Sequence, residues 1–144
     1  MSVDFCDAAH RHYEDATQLF ESKKFPNADH LYGLGAECAL KAIMVGLGAP
    51  AKDGDLEDEA HHLHINKLWS EFQVFVNGRS ASRYATPLRA LQGEPFDKWH
   101  IAQRYAHRRD ISSGKIPIEH QKAAKACLVA LERAMADGRV SWIR

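Results

Sequence analysis

The chain has no excess of charge in either direction: lysine plus arginine and aspartate plus glutamate each number 19 in 144 residues. So balanced a chain is not a long-nucleic-acid binder driven by its overall field, and any anion site must be local. Cysteine is scarce. Cys6, Cys38 and Cys127 are odd in number and far apart, which argues against a disulfide framework and for reduced thiols in the cytoplasm. Cys38 and Cys127 sit among apolar residues, as small buried hydrophobes do. No apolar run approaches the roughly 18 residues of a membrane span, and the N-terminal stretch has no basic, apolar leader, so no membrane association is expected. The sequence also lacks GxSxG, a P-loop, HExxH, a CxxC pair and GxGxxG, which removes the usual hydrolase, nucleotide-loop, zincin and dinucleotide signatures. No cofactor is implied. Nucleophilic-cysteine chemistry needs a thiol beside a base, and only Cys6, near His10, comes close.

What is present is helical periodicity on the scale of one domain. From residue 2 to 24, Phe5, Ala9, Tyr13, Ala16 and Phe20 recur at three- and four-residue steps, with Ser2 as the expected cap. After the KKFPN break, Pro26 suits the first turn of a second helix reaching about Val45. There Gly33 and Gly35 suggest close approach by another helix. Residues 52 to 60, KDGDLEDEA, read as an acidic, solvated loop. Leu68, Trp69, Phe72, Phe75 and Val76 predict a third helix from Ile65 that stops at Gly78. Residues 79 to 95 predict a long connection holding a short helix. Asp97 is a candidate cap for another, with Phe96 and Ile101 as a hydrophobic staple, although alternation from Trp99 to Tyr105 also fits an extended segment. Pro117 is expected to open the final helix, whose stripe runs through Ala124, Cys127, Leu128, Leu131, Ala134 and Met135 to a stop at Gly138. No window shows strand patterning flanked by hairpin turns. The expected fold is all-α, an up-and-down bundle of four main helices plus one or two short ones, in a single domain over residues 1 to 144.

Three polar groupings stand out. QRYAHRRDI, residues 103 to 111, gathers Arg104, His107, Arg108 and Arg109 around Tyr105. It has a functional reading, with Arg104, Arg108 and Arg109 gripping nucleotide or RNA phosphate. It has a structural one, with the arginines paired to acids and Tyr105 packed inward. HHLH at residues 61 to 64 places His61 and His64 three apart, a spacing that invites a metal, yet no third ligand has telling spacing and none is assigned. Helix capping or packing is the alternative for His61, His62 and His64. Glu37 and Lys41, four apart, form a structural polar pair on the second helix, with Glu37 expected to turn inward and bond to the basic segment.

The stretch DHLYGLGAECALKAIMVGLG at residues 29 to 48, followed by HHLHINKLW at residues 61 to 69, resembles the HEPN superfamily. Glu37, Leu40 and Lys41 match the Ala-rich, Glu-containing second helix of that family. His61 or His62 with Leu63 and Leu68 match its next helix start. The resemblance implies a helical bundle, a homodimer, a role in RNA cleavage, toxin–antitoxin or defence systems, and a partner of antitoxin or nucleotidyltransferase type. Active members carry an Arg-x(4 to 6)-His motif near the last helices, in which histidine moves protons and arginine holds phosphate. This chain departs from it, since none of Arg79, Arg83, Arg89, Arg104, Arg108 and Arg109 has a histidine five to seven positions later. The resemblance therefore implies a nucleotide- or RNA-associated module without the usual nuclease site. The alternatives are a metal-independent endoribonuclease using Arg104 and His107, two residues that share a face if helical, and a structural protein-interaction module.

Overall fold

The computed structural model describes residues 1–143. Five α-helices make up the bundle: α1 (Phe5–Glu21), α2 (Phe25–Gly46), α3 (Ile65–Asn77), the short α4 (Thr86–Arg89) and α5 (Lys115–Ala136). About 66% of the chain is helical, as the periodicity predicts. Among the described residues, no helix is long and apolar enough to cross a membrane.

Helix α2 is the centre of the bundle. It packs against α1, α3 and α5, so its buried side chains wrap most of its circumference, from Ala28 and Tyr32 to Leu40, Ile43 and Met44. A helix apolar on most sides must be covered on most sides. Helix α1 packs along it, joined by a three-residue turn, and Gly35 faces it at ordinary contact distance: a Cβ there would lie 3.4 Å from the Ala9 carbonyl and the Tyr13 amide. Gly33 admits something else. A Cβ there would sit 2.1 Å from the Trp99 ring, so the neighbour is an indole and not the expected helix. Tyr32 ties three helices together, its hydroxyl lying 3.0 Å from Thr17 Oγ1 of α1 and accepting from Gln121 Nε2 of α5 at 2.6 Å.

Several boundaries differ from expectation. Asp4, not Ser2, caps α1, its carboxylate accepting from the Asp7 amide at 2.9 Å. Helix α5 starts at Lys115, with Pro117 inside its first turn. The acidic loop contains a small antiparallel hairpin, β1 (Ala51–Lys52) and β2 (Asp55–Leu56), the only sheet among the described residues. Its turn residues Asp53 and Gly54 have φ of 52° and 85°, the Asp-Gly pattern of a two-residue turn with both centres left-handed. Leu56 is buried beneath it. Asp97 caps no helix. The chain turns at residues 95–98 because Phe96 goes fully into the core, against Trp69 and His120, and the next turn begins later. That 3-10 turn, Ile101–Tyr105, is capped by His100, whose Nδ1 accepts from the Ala102 amide while Gln103 Oε1 accepts from the His100 amide.

Candidate functional site

The basic segment does not continue as a helix. Arg104 lies in the turn Ile101–Tyr105, Ala106 is extended, and His107 caps a second 3-10 turn, Arg108–Ile111. Arg104 and His107 therefore share no helical face, contrary to the expectation for a helical segment. His107 Nδ1 accepts from the Arg109 amide at 3.1 Å. Both turns pack on α2.

Between these turns and the start of α2 lies a depression of about 580 Å³. Arg104, Arg108 and Arg109 line it from one side and Lys23 and Lys24 from the other, and no carboxylate lines it. His107 is not among the lining residues. Among the described residues none of these five cations forms an ion pair, whereas Arg11 pairs with Asp7 and Arg83 with Asp137. The structural reading of this segment, arginines paired and Tyr105 inward, is thus not what the fold adopts: Tyr105 is 79% exposed. The depression also receives the N-terminus of α2. Lys24 at the cap position makes no side-chain capping bond, the first turn holds no acidic residue, and Pro26 occupies it. A helix start left without a carboxylate carries partial positive charge, which adds to the lysines. Lys23 takes φ of 60°, a left-handed conformation that costs a side-chain-bearing residue about 1–2 kcal/mol and that glycine more often fills.

Behind the arginines stands a buried polar network that the sequence reading missed. Asp29 of α2 is fully buried. Its Oδ1 lies 2.5 Å from His120 Nδ1 of α5, its Oδ2 accepts from Gln103 Nε2 at 2.7 Å, and its main-chain carbonyl accepts from Trp99 Nε1 at 3.1 Å. His120 Nε2 lies 3.1 Å from the Pro95 carbonyl. The Asp29 carboxylate and the Pro95 carbonyl thus flank the two ring nitrogens. Asp29 holds Trp99 through its main-chain carbonyl and Gln103 through its carboxylate, and with them the turn that carries Arg104. Gly33 belongs to the same device, because only a missing Cβ lets the indole reach the Asp29 carbonyl one helical turn earlier.

Glu37 turns inward as expected but bonds elsewhere. Its Oε2 accepts from Lys41 Nζ at 3.0 Å and its Oε1 lies 3.0 Å from His64 Nδ1, so it joins α2 to the start of α3 and not to the basic segment. The three histidines of HHLH have separate uses. His64 meets Glu37, His62 Nε2 meets the Leu56 carbonyl, and His61 lies edge-on to Phe75 at 5.5 Å. Among the described residues, no three metal-ligating side chains come together.

His30, next to Asp29, was also missed. Its ring stacks on Trp99, and burial, followed by the nearby Arg104 charge, lowers its pKa from the usual value. The Cys6 thiol, considered with His10, is pushed up to about 11 by burial and then by Asp4 and Asp7. His10 Nδ1 instead meets the Cys6 carbonyl at 2.9 Å while its ring stacks on Trp142. That thiol is no activated nucleophile.

Comparison of the chain with family models, with curated proteins and with solved structures returned no match.

Proposed function

We propose that this protein is an HEPN-like helical module that binds nucleotide or RNA phosphate in the depression between α2 and the two 3-10 turns. Arg104, Arg108 and Arg109 contact the anion, and Lys23 and Lys24 complete the field. The observation that carries this reading is the convergence of five unpaired cations, with no lining carboxylate, on one helix N-terminus in a chain of zero net charge. Gathering like charges without partners costs repulsion, and an anionic ligand relieves it. Arginine forks suit phosphate oxygens, and free helix amides add donors. The resemblance to the HEPN superfamily adds a homodimer in the cytoplasm and a role in a toxin–antitoxin or defence system. It also supplies a partner of antitoxin or nucleotidyltransferase type.

Fluorescence anisotropy with a labelled RNA strand over a salt series tests the phosphate site. Single-strand binding weakens with salt by about 0.7 log units of affinity, per log unit of salt, for each phosphate contact. Replacing Arg104, Arg108 and Arg109 together with glutamine is expected to reduce that slope by about 2. No binding by the unmodified protein, or an unchanged slope in the triple variant, would refute the site. Incubation in EDTA tests the enzymatic alternative, because RNA cleavage that disappears in His107→Ala would make the module a metal-independent endoribonuclease.

A further inference from the structure

Tyr105 is 79% exposed, whereas every other phenylalanine, tyrosine and tryptophan among the described residues is buried or half-buried. Leaving a large ring in water forgoes the stabilisation that its burial would bring, so its position calls for a reason. Its chain neighbours Arg104 and Ala106 both line the cationic depression. The Arg104 guanidinium carbon lies 4.9 Å from the centre of the Tyr105 ring, within cation–π range. An aromatic ring has two faces. Arg104 covers one, and at this exposure the other is open to solvent. The turn that carries the ring is tied to the bundle through Gln103 and Asp29.

We propose that Tyr105 is a stacking platform for a base of a single-stranded polynucleotide whose phosphates occupy the depression. This rests on the phosphate reading above. A π-face next to Arg104, one of the cations that line the depression, matches the repeating unit of a single strand, a base next to a phosphate. In a duplex the base faces are already stacked on one another and unavailable to a side chain. Five cations over about 580 Å³ also exceed what one monophosphate needs. RNA and DNA strands offer this chemistry alike.

The test uses the full chain and three labelled probes of equal length: a mixed-sequence single strand, an abasic phosphodiester strand and a duplex. The wild type is expected to prefer the base-bearing strand over the other two. Tyr105→Ala should weaken binding of that strand about 5- to 150-fold and leave the abasic strand unchanged, while Tyr105→Phe, which keeps the ring, should bind like wild type. Such a loss with an RNA strand, a DNA strand or both supports the platform and shows which sugar it accepts. Equal wild-type binding of base-bearing and abasic strands, tighter binding of the duplex, or an unaffected Tyr105→Ala would overturn the platform and leave the phosphate site standing. Binding of none of the probes would remove both.

Discussion

Replacing Asp29 separates two kinds of structural cost. In Asp29→Ala the buried His120 Nδ1 and Gln103 Nε2 lose their shared acceptor. Hydrogen bonds to a charged group contribute about 1.5–3 kcal/mol each, so losing the two is expected to cost about 3–6 kcal/mol. In Asp29→Asn the network can be rewired. The amide oxygen accepts from Gln103, the amide nitrogen donates to a neutral His120 at Nδ1, and His120 Nε2 still donates to the Pro95 carbonyl. Every polar atom then keeps a partner, and the expected cost falls to about 1–2 kcal/mol, the charge assistance alone. Urea unfolding at neutral pH, followed by tryptophan fluorescence, reads both because Trp99 sits on the Asp29 carbonyl. Equal costs for the two substitutions, or a loss below about 1 kcal/mol for alanine, would refute the assignment of Asp29 as the shared acceptor.

Two further outcomes follow from the same packing. Gly33→Ala places a Cβ 2.1 Å from Trp99 Cε2; overpacking and loss of the indole hydrogen bond outweigh the helix-propensity gain of about 1 kcal/mol, for a net loss of about 1–5 kcal/mol and a shifted tryptophan emission, and a stabilised variant would contradict this. Stability should also form a dome in pH. Burial pushes the thiols of Cys6 and Cys38 up to about 11 and about 12 and raises Cys127 as well. Their contribution is therefore complete below the ordinary thiol range and lost as pH climbs through the folded values. Burial lowers His12 and His30, so their contribution is complete above the usual histidine value and lost as pH falls through the folded ones. Urea midpoints from pH 5 to 11 check both arms; Cys38→Ala should flatten the alkaline one, and an unchanged alkaline slope would contradict the assignment.

The helices were legible because the side chains that cover α2 recur at its own period, as in Leu40 and Ile43, or in Cys127, Leu128 and Leu131 on α5. The hairpin was legible but passed over: Asp53-Gly54 is a two-residue turn signal, masked by the acidic residues around it. The arginines of the site were legible as a local cluster. Lys23 and Lys24 were not assigned to it, since only the fold sets a turn near residue 23 against residues 104–109. Asp29 and His120 left a quieter signal. His120 falls on the same stripe as Ala124, Cys127 and Leu131, and Asp29 on the line through Gly33, Ala36 and Leu40. A polar residue on an apolar stripe must meet a partner from another stripe. Which partner was not readable, because 91 positions separate the two.

The network explains how a stretch without long helices can carry concentrated charge. The regular structure of residues 95–112 is limited to turns and 3-10 geometry, whose hydrogen bonds hold poorly over length. The mutual repulsion of Arg104, Arg108 and Arg109 with Lys23 and Lys24 pushes this segment away from α2. Three contacts from its inner side oppose that push: Phe96 in the core, Trp99 on the Asp29 carbonyl and Gln103 on the Asp29 carboxylate. Asp29 faces inward, where it anchors the turn without neutralising the guanidinium groups outside it. A carboxylate placed among the arginines would also hold the segment, but it would occupy the donors that phosphate requires. Anchoring through a buried acid and a neutral glutamine keeps the turn fixed and the cations free.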